Sequence, residues 1–217
     1  MTARKTGIDF GLYLVTDSGL SGGRPLEKIV RESIEGGVTV VQLREKNAGT
    51  IEFLDLALVL RQTTSELCIP LIINDRVDIA LACLADGIHL GQEDMPCAVV
   101  RRIAGDDMII GVSVSTADEA IEAEADGADY LGVGPLFSTA TKPDALPATG
   151  LGVLSSIRRA VRIPMVGIGG ISEMNAGDII SAGADGVAVV SAIVASQDPR
   201  AAARAIRSAV DAIRRDR

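Results

Sequence analysis

Eight short runs of aliphatic and β-branched residues alternate with eight longer helical stretches along this chain. No other feature of the sequence restricts the possible folds as much. The runs occupy 11–16, 39–43, 71–74, 87–90, 108–112, 130–133, 165–168 and 187–190. Most are continuously apolar, the pattern of parallel strands covered on both faces. The helical stretches fill 25–35, 50–67, 76–85, 96–104, 117–125, 151–160, 173–182 and 200–214. Pro25 opens the first and Gly36-Gly37 stops it. Thr50 and Ser172 read as N-caps, and Thr116 with Glu119 as a capping box. A single α/β domain spanning 1–217, the (β/α)₈ TIM barrel, is therefore expected. The chain lies near the lower limit of roughly 200 residues for that fold, so its loops must be short. A doubly wound open sheet would place a Gly-rich phosphate fingerprint after the first strand, and YLVTDSGLSGG (13–23) does not match it. Ala85-Asp86-Gly87, Gly127-Ala128-Asp129 and Gly183-Ala184-Asp185-Gly186 each precede a strand, which suggests a repeated βα unit with similar turns.

Composition narrows the class of partner. Apolar residues make up 47% of the chain but aromatic ones only 2%, so the core must be Ile, Val, Leu and Ala. A net charge of −8 argues against nucleic acid or an anionic membrane as partner. Cys68, Cys83 and Cys97 have no metal spacing and read as small core residues in a reducing compartment. No uncharged run reaches the ~18 residues of a membrane span, and the N-terminus has no signal-peptide core. The expectation is a cytoplasmic protein acting on small molecules. The sequence fixes no oligomeric state, and a homo-oligomer is compatible with it.

The stretch from Ile72 to Asp94 reads as strand, helix, strand, with polar residues where each strand ends. Parallel strands joined by one helix have their C-terminal ends side by side, so Asp75 and Asp94 should share a rim. Two carboxylates there suit Mg²⁺, which keeps several waters and takes other ligands from substrate phosphates. The commoner fate of either residue alone is to cap the helix that follows it.

The other strand ends add to this rim. Alternation puts Gln42, Arg44 and Lys46 on one face after the second strand. Arg supplies a planar fork for phosphate oxygens and Lys a point charge, although most such runs are solvated loops. Ser113 follows the fifth strand and can serve a phosphate or a neighbouring backbone group. Thr139, Thr141 and Lys142 lie in GPLFSTATKPDALPATG (134–150), the longest loop, and long loops on compact scaffolds are usually functional. Gly169-Gly170 and Val190-Ser191 end the last two strands, where barrels of this type build a phosphate cup from backbone N–H groups. Gly170 would allow a ligand to approach without meeting a Cβ. His89, the single histidine, lies inside the fourth strand and reads as a hydrogen-bonded core group rather than a base. No Ser-His-Asp set or zinc set can be assembled. Acids and cations on one side and an amide cup on the other would let two phosphorylated ligands meet, in a reaction that needs no strong base.

QLREK, IINDRVDIA, DGIHLGQED, GVSVST, GADYLGVGPLFSTATKPDA, GIGGI and GADGVAVVSAI, in order from about Tyr13 to Ile193, resemble the thiamine phosphate synthase family. The resemblance implies a (β/α)₈ barrel transferase of an alkyl group other than methyl. It would join 4-amino-2-methyl-5-hydroxymethylpyrimidine diphosphate to a thiazole phosphate, with Mg²⁺ as cofactor and diphosphate as the product released. It implies that Gln42, Leu43, Arg44, Glu45, Lys46 and Asn74 bind the pyrimidine diphosphate and that Asp75 and Asp94 hold the metal. Ser113 and Lys142 would hold the diphosphate, with Arg44, Lys46, Ser113 and Lys142 serving catalysis. Thr139, Ala140, Thr141, Gly170, Val190 and Ser191 would bind the thiazole phosphate. Ser138 stands where the family often has Pro. The alternatives are a thiazole tautomerase-like relative, which needs no magnesium diphosphate site, and a non-catalytic phosphate-binding barrel.

Overall fold

A computed structural model describes residues 7–138 and 148–215. Eight strands close into one barrel in sequence order: β1 Leu12–Val15, β2 Val40–Leu43, β3 Leu71–Asn74, β4 Gly87–Leu90, β5 Ile109–Val114, β6 Tyr130–Val133, β7 Met165–Ile168 and β8 Gly186–Val189. Every neighbouring pair is parallel, and β8 closes onto β1. The helices are α1 Leu26–Glu35, α2 Thr50–Glu66, α3 Val77–Ala82, α4 Cys97–Ala104, α5 Ala117–Ala125, α6 Gly150–Ala160, α7 Ala176–Ser181, α8 Ser191–Val194 and α9 Pro199–Arg214. The expected barrel is therefore present, with β8 followed by a short helix before the long terminal one. Among the described residues no helix is long and apolar enough to cross a membrane.

Strand alternation divides the core in two. Outward side chains such as Leu12, Leu14, Leu43 and Ile73 pack under the helices. Inward ones, including Tyr13, Val15, Val40, Ile72, Tyr130 and Val166, fill the barrel. Two expected caps fall elsewhere. Gly49 precedes α2, so Thr50 is its first residue, and α7 starts at Ala176 because the Asn175 side chain accepts from the Ser172 N–H and closes a turn first. Thr116 does cap α5, but Glu119 reaches back to the Ser115 N–H. Cys83 and Cys97 are buried as expected, whereas Cys68 is exposed at the end of α2.

The repeated Asp performs one task three times. Asp86, Asp129 and Asp185 each donate their N–H to the carbonyl of the first or second residue of the preceding strand: Leu71, Ile110 and Met165. Each carboxylate accepts that same residue's N–H, at 2.9, 2.8 and 2.9 Å. Each also pairs with an arginine from an even-numbered helix: Arg61, Arg101 or Arg158. The fourth place in the series belongs to Thr39, whose hydroxyl oxygen accepts from the Leu12 N–H at 3.1 Å. Here the arginines of α9 turn to Asp9 instead, Arg207 at 2.8 Å and Arg214 at 2.6 Å. These latches lie at the strand N-termini, the face of a barrel that supplies stability.

Burial pushes the Asp9 carboxyl up, but the two guanidinium groups and the Gly11 N–H outweigh it and bring the pKa to about 2. A folded pKa below the ordinary 3.8 stabilises the fold above that value, and the contribution is lost as pH falls towards about 2. Asp9→Asn is expected to lower Tm at neutral pH and to flatten the loss of Tm between about pH 4 and pH 2. Parallel Tm–pH curves for the two proteins would contradict the assignment.

Candidate active site at the C-terminal mouth

The C-terminal ends of the strands surround a cavity of about 240 Å³. Gln42, Arg44, Asn74 and Ser113 line one part of it, and Gly169, Gly170, Val190 and Ser191 another. Sequence positions from 42 to 191 thus converge on one opening because every strand ends there. Leu43 does not reach it: its side chain is fully buried beneath the helices, as alternation requires one residue after Gln42. Glu45 turns away as well, accepting a bond from the Ser18 hydroxyl. Burial, against that bond, pushes its carboxyl up. Thr139, Ala140, Thr141 and Lys142 lie outside the described residues.

Asp75 follows β3 with a left-handed φ of 63°. Its neighbours close a tight turn around it, the Arg76 N–H donating to the Asn74 carbonyl at 2.7 Å. A three-residue turn of this hand is rare and strained. Asp tolerates the left-handed region better than most residues, and the Asp75 N–H is tied to the His89 carbonyl at 2.9 Å. The helix-cap reading fails here, because α3 is preceded by Arg76 and has no side-chain cap. It fails for Asp94 too, since α4 is preceded by Pro96 without a side-chain cap. Asp94 instead accepts from the Gly91 N–H at 2.6 Å.

The carboxyl groups of Asp75 and Asp94 lie near enough to shift each other's ionisation. Burial pushes Asp75 up, but the Lys46 ammonium at 2.7 Å and the neighbouring Asp94 bring it below its ordinary value. Burial and the neighbouring Asp75 together push Asp94 up. Asp94 is therefore the member of the pair that takes up a proton first as pH falls. Two acids at one rim suit a divalent cation, which would leave its remaining coordination sites to water and ligand oxygens. Lys46 is already on Asp75, and Arg44 holds Asp17 at 2.9 Å. The cations at this rim are thus positioned by acids, one of which, Asp17, gave no signal in the sequence reading.

On the far side, the Gly169 carbonyl accepts from the Phe137 N–H and the Gly170 carbonyl from the Asn175 side chain. In a trans peptide the next N–H faces the other way, so these bonds fix the orientation of the amide groups of Gly170 and Ile171. Both glycines also pack closely against protein. A Cβ on Gly169 would lie 2.7 Å from Pro135, and one on Gly170 2.6 Å from the Ser138 carbonyl oxygen. The close approach seen here is to the loop after β6. Arg24 braces the same side, donating to the carbonyls of Val194 and Ser196 at 2.7 and 2.6 Å.

Below the mouth runs a chain of buried polar groups that the sequence reading missed. Gln42 Nε2 donates to Tyr13 Oη at 2.8 Å, and Tyr13 Oη lies 2.8 Å from Tyr130 Oη. Tyr130 Oη is 2.9 Å from His89 Nδ1, and His89 Nε2 is 2.8 Å from Ser113 Oγ. Both tyrosines of the chain are in it, and their scarcity in an aliphatic barrel was the signal available. His89 is the core group expected, with both ring nitrogens engaged. Ser113 serves a side chain of the core, a partner the sequence reading did not consider.

A family model described as thiamine monophosphate synthase matches residues 12–193. The thiamine-phosphate synthase of Chloroflexus aurantiacus is 54% identical over 203 residues, 94% of each chain. That of Syntrophomonas wolfei is 53% identical over 199 residues, 92% of this chain and 95% of its own. Among solved structures, a thiamine phosphate pyrophosphorylase from Pyrococcus furiosus superimposes with a TM-score of 0.88 at 44% identity, covering 95% of this chain and 98% of that one. On the strength of these matches, the chain belongs to the thiamine monophosphate synthase family.

Proposed function

We propose that this mouth makes thiamine phosphate, joining an aminopyrimidine methyl diphosphate to a thiazole phosphate and releasing diphosphate. The observation that carries the reading is the single cavity lined by Arg44, Asn74 and Ser113 on one side and by Gly170, Val190 and Ser191 on the other. One side suits a diphosphate and the other a monophosphate. Asp75 and Asp94 would hold Mg²⁺, which when bound supplies positive charge to the departing diphosphate. Arg44, Lys46 and Ser113 would hold the oxygens of the leaving group, together with Lys142. The C–O bond breaks with its electron pair leaving on diphosphate. The ring-stabilised cation left behind is captured by the thiazole nitrogen, whose lone pair forms the new C–N bond. No proton moves at that nitrogen, in keeping with a histidine whose two ring nitrogens are both occupied within the core. The tautomerase-like and non-catalytic readings leave Lys46, Asp75 and Asp94 without a task.

Purified protein is expected to release diphosphate only when given both substrates and Mg²⁺. No release under those conditions would reject the reading, and release from the pyrimidine substrate alone would make the protein a hydrolase.

Gly170→Ala tests the amide side. Its φ of 65° carries a cost of roughly 1–2 kcal/mol for a residue with a Cβ, and that Cβ meets the loop after β6. Thiazole phosphate affinity is expected to fall roughly tenfold. Unaltered affinity would remove Gly170 from the phosphate cup.

A further inference from the structure

We propose that Tyr13, Tyr130 and His89 form a one-way hydrogen-bond relay that makes Gln42 an acceptor and Ser113 a donor toward the ligand. The site would then select a heteroaromatic ring with an N–H donor on one edge and an anion on its other arm. The proposal rests on the reading above in placing that ligand between Gln42 and Ser113.

The direction follows from counting protons. The Gln42 amide donates through Nε2, so Tyr13 Oη accepts and must spend its own proton on Tyr130 Oη. Tyr130 then spends its proton on His89 Nδ1, which leaves the imidazole proton on Nε2, donated to Ser113 Oγ. The Ser113 hydroxyl proton is thereby directed elsewhere, on a residue that lines the cavity. At the opposite end the Gln42 carbonyl oxygen has no partner among the described residues, and Gln42 lines the same cavity.

Water cannot readily relax this order. Tyr13 and Tyr130 are 1% and 0% exposed, and Gln42 and His89 only 5% and 8%. Burial raises both phenol pKa values, so each hydroxyl keeps the one proton it passes on. The rings are also wedged in place. Phe10 lies 4.7 Å from Tyr130 between ring centroids, and a Cβ on Gly132 would sit 3.0 Å from His89. Reversing the relay would require the Gln42 amide to turn over. Ser113 would then donate to His89 and present only lone pairs to the mouth, which an anion rejects. The two ends are therefore coupled: a ring acceptor at Gln42 favours the polarity that disarms Ser113. Tyr13, Tyr130 and His89 are positioning residues, because they act through Gln42 and Ser113.

The single histidine makes the test clean. Tag-free protein labelled with ¹⁵N-histidine is expected to show the neutral Nε2–H tautomer without ligand. Tyr13→Phe, which keeps the ring and removes one link, is expected to give a mixture of both tautomers. Calorimetry with Mg²⁺ then compares the aminopyrimidine diphosphate with its oxo counterpart, which puts an acceptor where the amino group puts a donor. The wild type is expected to prefer the amino compound by at least about 30-fold, and Tyr13→Phe by no more than about threefold. An Nδ1–H tautomer in the wild type would overturn the relay. So would a Tyr13→Phe protein whose tautomer and preference are both unchanged. The tautomer is read without substrate, so it decides the relay even if the wild type releases no diphosphate, a result that would instead sink the functional reading.

Discussion

Asp94→Asn is expected to lower magnesium-dependent diphosphate release by roughly 10²–10³-fold, the rate equivalent of several kcal/mol, without lowering Tm at neutral pH. The amide can still accept from the Gly91 N–H, so the turn after β4 is kept. What it loses is the negative charge that the proposed metal site needs. Asp94 is the member of the pair whose carboxyl is pushed up, by burial and by Asp75. A raised folded pKa means that ionising the group costs the fold, a cost present above that pKa and absent below the ordinary 3.8. The neutral variant escapes it, so its Tm should equal or exceed that of the wild type at pH 7 and converge with it in acid. On the proposed metal role, stability is traded for a place to hold a cation. Unchanged turnover would remove Asp94 from the metal site, and a lower Tm at pH 7 would show that the carboxylate serves the fold instead.

Gly111→Ala is expected to cost the fold about 3 kcal/mol or more, the upper end for overpacking, or roughly 6–12 °C in Tm for a chain of this size. The Cβ would lie 2.1 Å from Tyr130 Cζ and 2.4 Å from its Oη. Tyr130 is wholly buried with Phe10 behind it, and its hydroxyl is held by Tyr13 and His89. It cannot yield without breaking those bonds. Adding Tyr130→Ala vacates the space, so the double variant should be less destabilised than the sum of the two single ones. Additive losses, or a Tm within about 1 °C of wild type for Gly111→Ala alone, would contradict the packing described here.

The barrel was legible because its signal is periodic. Aliphatic runs such as LIIN and GIHL ended within a residue or two of the observed strands. Asp75 and Asp94 were legible for the same reason, since parallel strands joined by a helix must end together. Roles that depend on partners distant in sequence were not. Asp17 is recognisable as the partner of Arg44 only once β1 and β2 lie side by side. The relay joins Tyr13 to Tyr130 across the barrel, and a sequence does not show which inward residues face each other through its interior. Leu43 follows Gln42 in a single polar-looking run yet faces the helices, because side chains alternate along the strand. The glycines after β7 were correctly placed at the mouth, but the surface they approach is a loop of the protein itself.

The most direct measurement is a crystal structure of the protein with Mn²⁺, diphosphate and thiamine phosphate, with the metal located by its anomalous signal. The expected result is one metal peak bridging Asp75 and Asp94, with diphosphate oxygens completing its shell and the thiamine phosphate phosphoryl group on the amides at Gly170 and Ser191. A peak away from both carboxylates, or a phosphoryl group at the strand N-terminal end beside Asp86 and Asp129, would contradict a reaction between two anions at this mouth.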